Sequence, residues 1–390
     1  MLKHYQWISC IAISCVVWWA ARQVGSSTAW RAATSSARYN APLSGEAACA
    51  TPPRTARSSG GTGGWRRVTG EPGYHFFGYF DKSPRSADGR YLLAHRAHFH
   101  GRRVFPGDAV AIGVLDTHAV PARWHFLSTT SAWNWQQGAM LQWLGGSDDR
   151  HVVFNVRREG AGGGKHHFGA LVMDWRERRV VRELPHAVYS LSRDGHWAVC
   201  IDPAWLHSHT EDEGYGYAPA SLSGERSDAE EEEETEDVDG SARGLRLMEL
   251  STGRSRLLLP MAVLRRHAPW SRASGARAEA AARYRTGMHF MNHAQWSTDG
   301  RRVGLLHRWI RSPSRQSKFE TRFVVVDVWP STVDERGETT LESAAARLWA
   351  FDTGERGASH FQWRHPMRAP CSGRDATELS DRAAGALILY

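Results

Sequence analysis

Short apolar runs separated by polar turn residues recur along the chain from about Tyr74 onward. Three of them follow one repeated phrase. Ser86-Ala87-Asp88-Gly89 precedes Tyr91-Leu92-Leu93, Ser192-Arg193-Asp194-Gly195 precedes Trp197-Ala198-Val199, and Ser297-Thr298-Asp299-Gly300 precedes Val303-Gly304-Leu305. Asp-Gly between two β-prone runs predicts a hairpin, because glycine accepts the positive φ of a tight turn. Gln142-Trp143, Gln295-Trp296 and Gln362-Trp363 mark further inner strands, the first of them ahead of Val152-Val153-Phe154. Other apolar runs end on an acid: Val110 to Asp116, Gly169 to Asp174, Gly244 to Glu249 and Phe323 to Asp327.

About four antiparallel strands per unit, repeated every 40–50 residues or so, is the pattern of propeller blades. The units begin near Tyr79, Ala139, Tyr189, His293 and His360, and the last offers only Ala386–Tyr390 as an outer run. The expected fold class is all-β, a β-propeller of four-stranded blades, five recognisable and up to seven allowed. A β-sandwich leaves the recurring turn phrase without a cause. A radial array also leaves few sheet edges exposed.

The ends differ in character. Residues 1–23 hold an apolar stretch from Trp7 to Ala21 flanked by Lys3 and Arg22. It is shorter than the roughly 20 residues a spanning helix prefers, and reads as a signal-peptide core or a signal anchor. Passage into the secretory pathway follows, cleaved or as a single-pass type II membrane protein. The acid-free Arg/Ser/Ala stretch up to Gly45 keeps an organellar transit peptide as a rival. Residues 24–66 read as a disordered stalk and 67–390 as the propeller, with an acidic disordered insertion at 223–240 and a helical one at 260–284.

The net charge of +8 does not point to nucleic acid. Lysine is confined to Lys3, Lys82, Lys165 and Lys318, and no basic run alternates with aromatics. Beyond Cys10 and Cys15 in the apolar segment, Cys49, Cys200 and Cys371 form no metal or disulfide spacing.

Candidate chemistry comes from aligning the inner strands. The position six before the turn aspartate holds Lys82, Val188 and His293, and alignment on Gln-Trp adds Met140 and His360. Innermost strands line a propeller's channel, so these residues are expected around its mouth. Two-residue-turn geometry then sets His293 opposite Leu306, beside His307 and Arg308, and sets Asp81 and Lys82 opposite His95 and Arg96. Arg157 ends the equivalent strand of the second unit, and Gln136-Gln137 precedes an inner strand. His, Arg and Lys gathered on one face suit an anionic ligand, because guanidinium pairs bidentately with carboxylate or sulfate. Packing is the competing role for His293 and His360. The Gln-Trp pairs read as structural, and His166-His167 and His207-Ser208-His209 as solvent-facing.

Gly78-Tyr79-Phe80-Asp81-Lys82-Ser83-Pro84, the stretch Trp133 to Trp143 and Gly214-Tyr215-Gly216-Tyr217 resemble a TolB-like group of bacterial propellers related to oligogalacturonate lyases. The likeness covers roughly residues 74–365. It implies a channel-mouth Mn²⁺ held by histidines and a glutamine, and β-elimination on galacturonate oligomers. His293 matches the family's isolated ligand and His360 the last histidine of its Gln-x-x-His-x-His cluster. The other cluster positions are Glu355, which can ligate manganese, and Ala358, which cannot.

Two functions follow. As an enzyme, the chain is a uronate-type polysaccharide lyase: His307, Arg308 and Arg96 catalytic, Lys82, His95, Arg157, Gln136 and Gln137 binding substrate, and His293, His360 and Glu355 holding the metal. As a binding module, the same cationic mouth holds an anionic glycan or protein partner and does no chemistry. The incomplete metal cluster favours binding.

Overall fold

The computed structural model describes residues 68–69, 73–158, 167–209, 243–267, 284–285, 287–310, 320–328, 348–352, 360–363 and 387–389. The apolar N-terminal segment, the stalk, the acidic insertion, Glu355, Ala358, His166, Cys49 and Cys371 lie outside them.

Strands follow one another in antiparallel meanders. The first sheet comprises β1 (Tyr74–Phe76), β2 (Tyr91–Ala97), β3 (Val110–Asp116) and β4 (Arg123–Thr130). The second comprises β5 (Gln142–Trp143), β6 (His151–Arg158), β7 (His167–Asp174) and β8 (Arg179–Leu184). The third has β9 (Ser190–Leu191), β10 (Trp197–Cys200), β11 (Gly244–Glu249) and β12 (Ser255–Pro260). The fourth has β13 (Met288–Trp296), β14 (Arg302–Ile310), β15 (Glu320–Asp327) and β16 (Leu348–Asp352), and β17 (Phe361–Trp363) pairs with β18 (Leu387–Leu389). Helix α1 (Pro203–His209) follows β10, and α2 (Met261–Arg266) follows β12. α2 opens the predicted 260–284 insertion, and residues 268–283 lie outside the described set.

The turn phrase builds the same hairpin three times. Ser86, Ser192 and Ser297 each donate a hydroxyl hydrogen bond of 2.5 Å to the aspartate two residues on. Gly89, Gly195 and Gly300 take φ of 72°, 74° and 68°. The serine hydroxyls also accept from the amides of Tyr91, Trp197 and Arg302, so the loop holds four residues and is centred on Asp-Gly. The acids that end β3, β7 and β15 receive the arginines that open the facing strands: Arg90 on Asp116, Arg150 on Asp174 and Arg302 on Asp327.

Gln-Trp joins neighbouring sheets. The indoles of Trp143, Trp296 and Trp363 donate backwards to the carbonyls of Pro84, Ser190 and Gln295. Gln142 reaches forward to the Leu191 amide and Gln295 to the Phe361 carbonyl. Apolar layers fill the same joints. Val303, Leu305, Val324 and Val326 pack towards the third sheet, while Leu306, Phe323 and Val325 pack on Phe361 and Trp363. Tyr79 of the first unit meets His293 of the fourth and His360 of the fifth. The chain is therefore a propeller-like array of four-stranded sheets.

Two departures from the simple hairpin matter for the site. β1 pairs with β2 at Phe76↔His95, contact resumes only at Arg85↔Leu92, and residues 77–83 leave the sheet between them. In the fourth sheet the register slips between Asn292 and Gln295, with His293 in the slip at φ 55°. Met140, aligned with His293 in the second unit, has φ 53°. Left-handed backbone at a non-glycine residue is costly, and bulges of this kind re-aim side chains.

Candidate functional site

The inner ends of the first four sheets converge on Tyr189. Its hydroxyl accepts from the His293 amide at 2.8 Å and from Gln137 Nε2 at 3.1 Å. The Lys82 ammonium sits 5.5 Å from its ring centre. Gln137 is positioned by a small loop in which Asn134 and Gly138 bond each other's backbone and the Asn134 side chain accepts the Gln137 amide. Loop 77–83 supplies Tyr79, Phe80, Asp81 and Lys82. Lys82 Nζ lies 2.7 Å from Asp81 Oδ2, with both side chains about 5% exposed.

Left-handed backbone turns the His293 ring onto Tyr79. The rings stack at 5.1 Å and 3°, and His293 Nε2 lies 3.4 Å from the Tyr79 hydroxyl. His360 is 5.6 Å from His293, centre to centre, and meets exposed Phe80 edge-on at 5.0 Å. Burial, then Arg308, His360 and Lys82, hold His293 well below the ordinary imidazole range. His360 is lowered by burial and then by Arg308, against the opposing pull of Asp81. Among the described residues the result is two neutral imidazoles beside Lys82, Arg308 and the Asp81 carboxylate.

The remaining expected site residues go elsewhere. His307 and Arg308 are adjacent on β14, so they face opposite sides of the sheet. Arg308 shares the side with His360, whereas His307 turns towards α2. There His307 is fully buried, accepts from Arg322 Nε at 2.9 Å and lies 2.9 Å from His289 Nδ1. Since His289 Nε2 faces the Tyr284 carbonyl at 2.7 Å, the chain of donors makes both histidines neutral, each with its proton on Nε2. Arg322, 1% exposed, also donates to Leu264 O at 2.6 Å and to His267 O, so it caps the carbonyl end of α2. His307 is not brought to the mouth: it alternates with Arg308 along β14 and so takes the other side of the sheet, where it pairs with Met291.

Likewise His95 and Arg96 do not face Lys82, because the loop 77–83 breaks the expected pairing. His95 is fully buried, stacks on Phe76 and accepts the Ala139 amide at 3.0 Å; burial pushes it down to about 4. Arg96 lies over the Trp124 ring. Arg157 donates to the Pro106 carbonyl. Gln136 is exposed while Gln137 is buried. Lys82, Gln137, His293, Arg308 and His360 thus come together; His95, Arg96, Arg157, Gln136 and His307 do not join them. Tyr79, Asp81 and Tyr189 complete the cluster without having been singled out from the sequence as site residues. The likeness of Gly78–Pro84 to related propellers was the signal for the first two.

No group of three or more His, Cys, Asp or Glu with metal-binding geometry occurs among the described residues, and Glu355 lies outside them. No helix among the described residues is long and apolar enough to cross a membrane.

No protein-family model matches the chain, and a search of curated proteins finds no relative. Among solved structures, the crystal structure of TolB from Acinetobacter baumannii is similar at a TM-score of 0.30 and 12% identity, over 69% of this chain and 46% of that one. The chain thus spans less than half the length of that TolB.

Proposed function

We propose that the convergent mouth binds an anionic glycan. The carrying observation is that Lys82, His293, Arg308 and His360, distant in sequence, gather around Tyr79 and Tyr189. Arg308 and Lys82 supply charge for a carboxylate or sulfate, His360 adds a ring nitrogen, and exposed Phe80 offers a flat apolar face for a sugar ring. An acidic segment of a protein partner is the other ligand of the same charge. The test is calorimetry with galacturonate oligomers. Micromolar-to-millimolar binding is expected for the native protein, and His293→Ala or Arg308→Ala should weaken it at least tenfold. Unchanged binding in both variants would remove the site.

One observation favours a second reading, a uronate lyase. β-Elimination takes the C5 proton onto a base, breaks the C4–O bond and returns a proton to the departing oxygen. A neutral imidazole 3.4 Å from a phenol, His293 beside Tyr79, is a base with an acid at hand. Absorbance of the 4,5-unsaturated product, with and without Mn²⁺, separates the two readings. Product formation establishes the lyase; binding without product leaves a binding module. Should the apolar segment Trp7–Ala21 deliver the chain to the secretory pathway, the ligand would be a lumenal or extracellular glycan.

A further inference from the structure

The mouth is not uniformly cationic, and the one carboxylate it holds among the described residues is incompletely bonded. Asp81 is about 4% exposed at its side chain, and Oδ2 faces Lys82 Nζ at 2.7 Å. Its Oδ1 is buried without a hydrogen-bond partner among the described residues. The Gln137 amide oxygen is in the same condition: the residue is 2% exposed, and its nitrogen is committed to Tyr189. Buried polar atoms in native proteins are nearly always satisfied, and an ionised carboxylate can only accept. Both gaps border the residues assigned above to the ligand: Lys82 pairs with Asp81, and Tyr189 lies between Lys82 and Gln137.

We propose that Asp81 reads a hydroxyl of the ligand, so that the site selects a hydroxylated acid, such as a uronic-acid sugar, over a simple anion. The anionic group lies with Arg308 and His360, and a neighbouring hydroxyl donates to Asp81 Oδ1. Gln137 Oε1 offers a second acceptor for another donor. A ligand of bare anionic oxygens, such as sulfate, would instead meet Asp81 with repulsion. Sites that pair a buried polar group with a substrate hydroxyl reject analogues lacking it far more strongly than apolar pockets reject a missing methylene.

This rests on the glycan reading and sharpens it. The experiment titrates the full chain with methyl α-galacturonoside and with tetrahydropyran-2-carboxylate, a ring acid stripped of hydroxyls, and repeats both with Asp81→Ala. In the native protein the galacturonoside should bind about tenfold or more tightly, as expected for a hydrogen bond to a charged group. In Asp81→Ala that preference should collapse while the stripped acid binds as well or better, Lys82 having been released. Equal affinities in the native protein overturn the role of Asp81 and leave the anion site standing. A preference that survives in Asp81→Ala also overturns it, because another residue then reads the hydroxyl. Binding of neither ligand overturns both readings. If Asp81→Ala does not fold, the comparison of the two ligands on the native protein still decides against the proposal when they bind equally.

Discussion

Acid should weaken this fold through His95, and the amount can be worked out. Burial lowers its imidazole from 6.5 to about 4. A depressed histidine binds its proton more readily when the chain is unfolded. Its contribution is therefore complete above pH 6.5, shrinks as pH falls below that value, and stops shrinking near pH 4. From pH 7.5 to 5.5 the folded imidazole stays neutral while its unfolded counterpart becomes about nine-tenths protonated, a loss of about 1.3 kcal/mol; by pH 4 the loss reaches about 3 kcal/mol. His293 and His307 act with the same sign. The clean measurement uses His95→Gln, which keeps an acceptor for the Ala139 amide but does not titrate. Urea unfolding followed by fluorescence of the 18 tryptophans gives stability at both pH values. The variant should start lower but lose about 1.3 kcal/mol less than the native protein between pH 7.5 and 5.5, since the other histidines cancel in the difference. Parallel losses in the two proteins would refute a buried neutral His95.

Other substitutions probe the same architecture. Gly138 has φ 61°, and a Cβ there would stand 2.3 Å from His95 Cε1, so Gly138→Ala should cost about 2–4 kcal/mol in a denaturant titration. Arg322→Met takes the arginine donor from His307 Nδ1 and the His267 carbonyl, leaves the Leu264 carbonyl to the Tyr284 hydroxyl, and should cost roughly 3 kcal/mol or more. Arg302→Met removes an ion pair whose arginine is 41% exposed and should cost under about 1 kcal/mol, so equal losses in the two arginine variants would contradict the buried cap. Trp296→Phe keeps an aromatic ring but loses the pyrrole half of the indole and its bond to the Ser190 carbonyl, and a melting experiment should register about 1–3 kcal/mol.

The repeat was legible because its chemistry is local. Ser-x-Asp-Gly specifies its own hydrogen bonds within a few residues, and the tryptophan of each Gln-Trp pair donates to the carbonyl at the same place in the preceding unit. The site was legible only where it followed the repeat. His293 and His360 could be aligned, and they do meet. Cross-strand counting from the turn failed wherever the backbone gained residues. The slip at His293 left Leu306 opposite Asn292, and the loop 77–83 moved Asp81 and Lys82 away from His95. Tyr189 escaped notice for a related reason. It stands one residue past the aligned position, and nothing local announces that its hydroxyl will collect donors from the second and fourth units.

The forward glutamine and backward tryptophan give each joint a direction. A unit copied by gene duplication would bring a hook for its successor and a latch for its predecessor, so both new seams would close without inventing contacts. Arrays of different lengths are thus reachable by whole-unit steps, while the third unit, which like the first lacks the pair and carries Ser190-Leu191 in its place, borrows its fastening from both sides.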